Sequence, residues 1–254
     1  MHIFITGGTR GIGNGLVREF LRLGHEVSFT GTNESSITNA SKNLKGDFCG
    51  IICDVRSYDS ITKAKDTAVD KYKCIDIWIN NAGVSQDTKD VCDLSEDDIK
   101  KVIDINVSGM IMGTSVAITE MKRQNFGFIY NMEGLGSNNM KIAKTVVYGS
   151  SKRLLTYFSK ACNKELKEYK NITVGTLSPG MVFTDLLLAD LEQESLKITA
   201  ILGNKVETVT PFLVNKMIKE KKYIHWLTNR KIAWKFFRSM FKRNKVKSIE
   251  DLKI

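Results

Sequence analysis

Tyr148 and Lys152 are the two residues in this sequence best suited to proton transfer, because they stand four positions apart and would project from one face of a helix. A free phenol has a pKa of about 10. A neighbouring ammonium group stabilises the phenolate and lowers that pKa, so the hydroxyl can give a proton to a substrate oxygen near neutral pH. The same spacing also suits a half-buried tyrosine beside a solvated lysine, and the rest of the chain must decide between the two interpretations.

The start of the chain has the order expected of a phosphate-binding unit. A short apolar run over residues 2–5 precedes a glycine-rich loop over 6–13, and a helix-like pattern follows over 14–23. Glycines let the backbone approach a pyrophosphate, and the first N–H groups of a helix attract the phosphate charge. We therefore expect this loop to bind a dinucleotide through the following residues: Gly7, Thr9, Arg10, Gly11, Ile12 and Gly13.

These two motifs resemble the glycine loop TGxxxGxG and the YxxxK catalytic helix of the short-chain dehydrogenase/reductase family. Further segments match that family, in its order, over about residues 1 to 190. They are Asp54-Val55, Asn80-Asn81-Ala82-Gly83, Asn106, and Pro179-Gly180 followed by Val182 and Thr184. The resemblance implies an α/β fold with a Rossmann-type, doubly wound parallel sheet in a single domain, and a nicotinamide dinucleotide as cofactor.

The resemblance also implies a role for each matching residue. Tyr148 would give the proton, Lys152 would lower the pKa of the tyrosine and hold the nicotinamide ribose, and Asn106 would anchor a water that resupplies protons. Beyond the glycine loop and the Tyr-Lys pair, the cofactor would be contacted by Asp54 and Val55 at the adenine, by Asn81, Ala82 and Gly83 along the crevice, and by Pro179, Gly180, Val182 and Thr184 over the nicotinamide.

The serine of the family's catalytic site is displaced in this chain. Relatives have a serine about thirteen residues before the tyrosine, where its hydroxyl holds the substrate carbonyl. That position falls on Gly134 or Leu135. We expect Ser137, eleven residues before Tyr148, to supply the hydroxyl instead, and the alternative is an ordinary loop serine.

The end of the second predicted strand bears on the choice of cofactor. NAD-dependent relatives have a carboxylate there that binds the ribose hydroxyls of the adenosine, and the sequence has none beside Gly31. A 2′-phosphate would meet Arg10, with Thr32 and Asn33 as neutral donors. We therefore expect NADP(H), with NAD(H) as the alternative.

Two loops resemble one branch of the family, the chlorophyll b reductases. They are residues 131–137, which read NMEGLGS, and residues 178–188, which read SPGMVFTDLLL. Residues 201–209 and the basic, aromatic end of the chain are similar too. This resemblance implies reduction of a chlorophyll b-like formyl group with NADPH, and another large apolar carbonyl compound would suit the same loops. The alternatives are a generic ketone or 3-oxoacyl reductase, and a nucleotide-binding regulatory protein without turnover.

The net charge of +10 resides in the last part of the chain, because thirteen Lys and Arg residues and three acidic residues lie between Lys216 and Lys253. Drawn as a helix, this tail has an aromatic side opposite a basic ridge, which contains Lys231, Lys235, Arg238 and Lys242. Such a helix is typical of a membrane surface. It equally suits a terminal helix packed on the domain or on a subunit partner, with its basic face solvated. Nucleic acid is a less expected partner, because phosphate recognition needs no aromatic side.

The length of 254 residues suits one α/β domain with a large core. We expect a catalytic domain over 1–225, in which 185–225 form a substrate lid, and a helical tail over 226–254. The first strand begins at residue 2 and no apolar run reaches about 18 residues, so we expect no signal peptide, no membrane span and a cytoplasmic location. No His or Cys cluster suggests a metal site, and the family resemblance implies a dimer or tetramer.

Overall fold

A seven-stranded parallel sheet forms the centre of the computed structural model, which describes residues 1–189 and 193–241. The strands in these ranges are β1 His2–Ile5, β2 Glu26–Gly31, β3 Phe48–Ile52, β4 Ile77–Asn80, β5 Gly127–Met132, β6 Ile172–Ser178 and β7 Tyr223–His225. Their order across the sheet is β3-β2-β1-β4-β5-β6-β7. Strands β1 and β4 are buried along their whole length, as expected for parallel strands covered by helices on both faces.

Helices cover both faces of the sheet. They are α1 Gly11–Arg22, α2 Glu34–Ser41, α3 Tyr58–Tyr72, α4 Glu96–Ile103, α5 Met110–Gln124, α6 Val146–Glu165, α7 Asp185–Leu188, α8 Gln193–Leu202, α9 Val206–Ile218 and α10 Asn229–Phe241. Helices α1, α2 and α9 pack on one face, and α3, α5 and α6 pack on the other. This arrangement confirms the predicted Rossmann-type, doubly wound sheet.

The strand order reverses between β1 and β4, which places a crevice at their carboxyl ends. The chain adds β2 and β3 on one side of β1 and then crosses to β4 on the other side. In open α/β sheets this reversal point is where ligands bind. Here the backbone N–H of Thr6 donates to the Ile79 carbonyl over 3.0 Å, so the glycine loop begins directly beside the end of β4.

One helical stretch among the described residues, Glu96–Gln124, is long and apolar enough to cross a membrane by length and composition, with a mean hydropathy of 1.4. It comprises α4, a π-helical turn over Asp104–Gly109, and α5. Core helices of α/β proteins meet the same criterion. Val116, Ala117 and Met121 of this stretch are buried in the apolar cluster beneath the sheet, so we assign it to the core.

The structure divides the predicted lid, 185–225, into two parts. Helices α7 and α8 form a small apolar cluster of their own around Leu188 and Leu196. Helix α9, by contrast, buries Leu213 and Val214 in the main core beside α1, and β7 completes the sheet. The apolar side of α9 covers sheet surface that would otherwise meet water, so α7 and α8 are the helices in the described part of 185–225 that remain available as a lid. The predicted domain boundary after residue 225 stays a prediction.

Candidate active site

Helix α6 carries Tyr148 and Lys152 on one face, as their spacing predicts. The Lys152 side chain is buried, and its Nζ lies 5.8 Å from the centroid of the Tyr148 ring. Nζ donates a hydrogen bond of 3.2 Å to the Met132 carbonyl at the end of β5. Helix α6 therefore carries the lysine, and its hydrogen bond to the end of β5 fixes the position of its ammonium group.

Gly134 lies between these two side chains. A Cβ placed on Gly134 would be 2.5 Å from Tyr148 Oη and 3.2 Å from Lys152 Cγ. The glycine therefore leaves the space into which the tyrosine hydroxyl projects. This close approach explains why the loop has no serine at one of the two expected positions.

Ser137 is buried in the same loop and joins it to α6. Its Oγ accepts a hydrogen bond of 3.1 Å from the Gly134 N–H and donates one of 3.1 Å to the Lys152 carbonyl. Because serine has one O–H donor, holding a substrate carbonyl would require Ser137 to exchange its bond to Lys152. The catalytic role of Ser137 stays a prediction.

Asn106 lies on the π-helical turn and forms hydrogen bonds with the segment that follows β4. Its Oδ1 accepts from Val84 N–H and its Nδ2 donates to Val84 carbonyl, both over 2.9 Å. A Cβ on Gly83 would be 3.2 Å from Asn106 Oδ1 and 3.5 Å from Lys152 Nζ. Asn106 and Lys152 thus meet at Gly83, and π-turns often occur at such functional positions.

Burial shifts the pKa values of both members of the pair. Burial raises the pKa of Tyr148 to about 12. Burial also lowers the pKa of Lys152 to about 8, although the Glu133 carboxylate acts in the opposite direction. Removal from water disfavours the charged form of each group, and the role of Lys152 in lowering the pKa of Tyr148 stays a prediction.

Glu133 and His225 were not among the residues predicted for the site. Glu133 is buried at the end of β5, and its Oε2 lies 3.9 Å from His225 Nδ1 at the end of β7. The two strands lie on either side of β6. The sequence contains no pattern that predicts a contact between two residues so far apart along the chain. Glu133 does lie in the loop over 131–137, which resembles the chlorophyll b reductase branch.

The glycine loop has the geometry that a pyrophosphate requires. Gly7 and Gly11 have φ of 65° and 54°, a region that glycine adopts readily. Asn81 Nδ2 donates to the carbonyls of Thr6 and Gly7 over 3.0 and 2.9 Å and fixes the turn. Helix α1 begins at Gly11 without a side-chain cap and without an acidic residue in its first turn. Its first N–H groups are thus oriented to receive an anion, and a dinucleotide fits here.

The end of β2 lies beside the glycine loop. A Cβ on Gly31 would be 2.6 Å from Thr9 Cγ2. Arg10, at the start of α1, is exposed, and so are Thr32 and Asn33. Asn33 Oδ1 accepts from Ser36 N–H over 2.8 Å and caps α2. All three residues predicted to meet the adenosine end of the cofactor are therefore accessible.

Asp54 and Val55 follow β3, at the predicted adenine position. Arg56 donates to the Asp54 carboxylate over 2.7 Å and holds the pKa of that carboxyl below its ordinary value. Val55 is buried, and a Cβ on Gly109 would be 3.0 Å from its carbonyl oxygen. The Asp54 carboxylate thus already has a cationic partner, which an adenine would have to share.

The turn at 179–180 and the residues after it close one side of the crevice. Gly180 has φ of 69°, and a Cβ there would be 2.9 Å from Leu227 Cβ. Val182 is buried. Thr184 caps α7, and its methyl group lies 3.3 Å from the position of a Cβ on Gly11. The segment predicted to cover the nicotinamide therefore reaches the glycine loop.

Known proteins match this chain over most of its length. A family model described as short chain dehydrogenase matches residues 1–195. The chain is 35% identical over 254 residues to Chlorophyll(ide) b reductase NOL, chloroplastic, of Oryza sativa subsp. japonica, with 93% of this chain and 74% of the relative covered. It is 33% identical over 268 residues to Probable chlorophyll(ide) b reductase NYC1, chloroplastic, of Arabidopsis thaliana, with 96% of this chain covered. The chain spans 54% of that relative.

A solved structure shares the fold. The 3-ketoacyl-(acyl-carrier-protein) reductase from Brucella melitensis complexed with NADH superposes with a TM-score of 0.80 at 18% identity, and 91% of this chain and 98% of that one are covered. The sheet order, the glycine loop and the Tyr-Lys helix agree with the sequence matches. The chain belongs to the short-chain dehydrogenase/reductase family of oxidoreductases and resembles its chlorophyll(ide) b reductase branch.

Proposed function

We propose that this protein is an NADP(H)-dependent carbonyl reductase or alcohol dehydrogenase for a large apolar substrate. One observation carries the proposal: Tyr148, Lys152 and Asn106 converge around two glycines at the carboxyl ends of β4 and β5. Gly83 follows β4, which borders the strand-order reversal and the start of the glycine loop. A proton donor beside a dinucleotide site suits the interconversion of a carbonyl and an alcohol.

Residues of this chain would transfer the proton and position the substrate. When bound, the nicotinamide supplies or accepts the hydride at its C4. During reduction, Tyr148 Oη gives its proton to the substrate oxygen. Protonated Lys152 stabilises the phenolate that remains, and Asn106 keeps the neighbouring backbone in place through its two bonds to Val84.

The preference for NADP(H) rests on charge at the adenosine end. The residues that end β2 and begin the next loop, Gly31, Thr32 and Asn33, carry no carboxylate. Arg10 is exposed and directly follows Thr9, whose methyl group lies 2.6 Å from the position of a Cβ on Gly31, and its guanidinium offers the charge-assisted bonds that a 2′-phosphate requires. An aspartate or glutamate at that edge would repel the phosphate.

The substrate class rests on the lid and on the relatives. Leu186 of α7 and Ile198 of α8 are exposed apolar residues in the segment that follows the nicotinamide turn. An apolar lid suits a large hydrophobic ring system. Because the relatives are named chlorophyll(ide) b reductases, we propose a formyl group on such a ring as the reacting centre. The cytoplasmic location and the oligomeric state stay predictions.

A substrate screen tests this function. NADPH oxidation would be followed with formyl-porphyrins, steroids, quinones, small ketones and a 3-oxoacyl thioester, and each rate would be repeated with NADH. We expect the largest kcat/KM for the formyl-porphyrin with NADPH. A preference for the thioester would indicate a generic reductase, and NADPH binding without turnover of any compound would indicate a regulatory protein.

Tyr148→Phe is the control for the assignment of turnover to this site. It should abolish NADPH oxidation while NADPH affinity stays nearly unchanged, because only the acidic hydroxyl is lost. Tyr157→Phe is the matched variant, since Tyr157 stands on the same helix and is exposed. A tenth or more of the wild-type rate in Tyr148→Phe would show that another group donates the proton.

A further inference from the structure

Helix α10 presents an aromatic stripe to solvent. Trp234, Phe237 and Phe241 are 58%, 52% and 74% exposed and lie on one side of the helix. Their rings contact one another, with centroid distances of 5.9 Å and 5.1 Å. Met240 is also exposed. A contiguous apolar surface of this kind marks an interaction site.

Two lysines of the predicted basic ridge, Lys231 and Lys235, face the protein, whereas a solvated basic side would have left them in water. Lys231 Nζ lies 3.4 Å from the ring centroid of Trp226 and 4.7 Å from that of Phe212. These contacts are cation–π interactions. Lys231 is therefore directed inward, and the opposite side of the helix is left to solvent.

Lys235 fixes the same orientation more firmly. Its Nζ donates to the carbonyls of Leu202 and Gly203 over 3.1 and 3.0 Å and to Asn204 Oδ1 over 3.0 Å. An ammonium group at these carbonyls satisfies the last acceptors of α8 and complements the helix dipole. The aromatic stripe thus points outward because the lysines on the other side are bound to the domain.

Positive charge surrounds the stripe. Arg230 and Arg238 are exposed and stand four residues before and after Trp234, on its side of the helix. The sequence between Lys216 and Lys253 carries the whole net charge of the chain. Lys242, predicted for the basic ridge, lies outside the described residues.

We propose that α10 docks on an anionic lipid surface, with Trp234, Phe237 and Phe241 in the headgroup region and the arginines on lipid phosphates. Amphipathic aromatic rings and flanking arginines are the side chains that suit this interface. A second copy of the chain fits less well, because pairing through α10 would bring two strongly positive segments together.

The docking surface is attached to the lid and to the nicotinamide turn. Lys235 joins α10 to the end of α8, and the Trp226 N–H donates to the Ser178 carbonyl over 2.9 Å just before the turn at 179–180. A membrane seated on α10 would therefore lie beside the segment that follows this turn. An apolar substrate dissolved in lipid could then reach the crevice from the membrane.

Vesicle binding of the full-length protein tests the proposal. Co-sedimentation would compare phosphatidylcholine vesicles with vesicles that also contain phosphatidylserine, at low and high salt. We expect binding to the anionic vesicles alone, weakened by salt. Trp234→Ser with Phe237→Ser should weaken binding by about tenfold or more and leave NADPH affinity and the melting temperature unchanged, because both side chains are exposed.

Tyr58→Ser with Leu23→Ser is the matched control, since both side chains are exposed apolar residues on other helical surfaces. This control should bind vesicles as the wild type does. Absence of wild-type binding to anionic vesicles would overturn the proposal, and so would unchanged binding of the α10 variant. A change in the oligomer mass of the α10 variant with vesicle binding intact would assign the stripe to a subunit interface and also overturn it.

Discussion

Gly134 lies against the hydroxyl of Tyr148: a Cβ on the glycine would be 2.5 Å from the phenolic oxygen. The loop in which the family resemblance predicts a serine here brings a bare backbone up to the tyrosine. We therefore expect the donor for a substrate carbonyl to come from Ser137 or from a backbone N–H. A side chain at this position would also crowd Lys152, because the same Cβ would be 3.3 Å from Lys152 Cε. The glycine therefore allows Lys152 to lie close to the loop.

Gly134→Ala should lower kcat by about a hundredfold, because displacement of a reacting group by about 1 Å has an effect of this size. The added methyl group must push Tyr148 Oη away or shift the loop. Steady-state kinetics with saturating NADPH measures the effect.

Gly149→Ala is the matched control for this substitution. Gly149 is next to Tyr148 in α6, yet a Cβ there meets no atom nearer than Gly136 Cα at 4.0 Å. Alanine also favours the helix over glycine, so this variant should keep its activity and be slightly more stable. Equal activity of both variants would mean that Tyr148 Oη is not held against the loop.

The sequence predicted what depends on neighbours along the chain. The four-residue spacing of Tyr148 and Lys152 sets their common face on any helix, and the glycine loop carries its own conformational requirement. No local pattern of this kind predicts contacts between segments that are distant along the chain. The approach of Glu133 to His225 depends on how β5 and β7 are ordered in the sheet.

The orientation of α10 shows the same limit. The sequence pattern established a helix with a basic and an aromatic side, but it could not tell which side packs on the domain. Lysine can turn inward when backbone carbonyls receive its ammonium group, and its aliphatic stem tolerates burial. Lys235 finds such carbonyls at the end of α8, a position fixed only by the tertiary fold.

The pH dependence of activity should report the ionisation of Lys152. Its pKa is lowered to about 8 by burial, and the protonated form is the one that stabilises the phenolate. Catalysis should therefore be fully present below this pKa and be lost as pH rises through about 8. Glu133→Gln removes the carboxylate that favours the ammonium form, so the loss should move to lower pH. The pH profile of kcat/KM measures this shift.

Glu120→Gln controls for the loss of a buried carboxylate. Glu120 is buried on α5, where it pairs with Arg123 and Lys65. Its substitution should lower stability without moving the pH profile. An unchanged profile in Glu133→Gln would show that Glu133 does not control the charge of Lys152.

Arg10→Ala should weaken NADPH binding by about 1.5 to 3 kcal/mol, the size of a charged hydrogen bond, and leave NADH binding almost unchanged. The reason is that only NADPH carries the 2′-phosphate. Fluorescence titration with both cofactors measures the difference. Arg18→Ala is a suitable control, because Arg18 is an exposed arginine of the same helix beyond the glycine loop. Equal losses for the two cofactors would show that Arg10 does not bind the 2′-phosphate.

Ser137→Ala should lower kcat by about a hundredfold if the hydroxyl supports the developing oxyanion, the usual effect of losing one such donor. It should also lower the free energy of unfolding by about 1 to 3 kcal/mol, because the Gly134 N–H and the Lys152 carbonyl lose their partner. Single-turnover kinetics and urea unfolding measure the two effects separately.

Ser159→Ala separates the catalytic effect of Ser137 from the effect of removing a buried hydroxyl. Ser159 is buried on the same helix, and its Oγ accepts from Asn131 Nδ2 over 3.0 Å. Its loss should lower stability to a similar extent while kcat is retained. If Ser137→Ala also loses stability but keeps its rate, the serine only anchors the loop to α6. The donor for the carbonyl would then be a backbone N–H between Gly134 and Gly136.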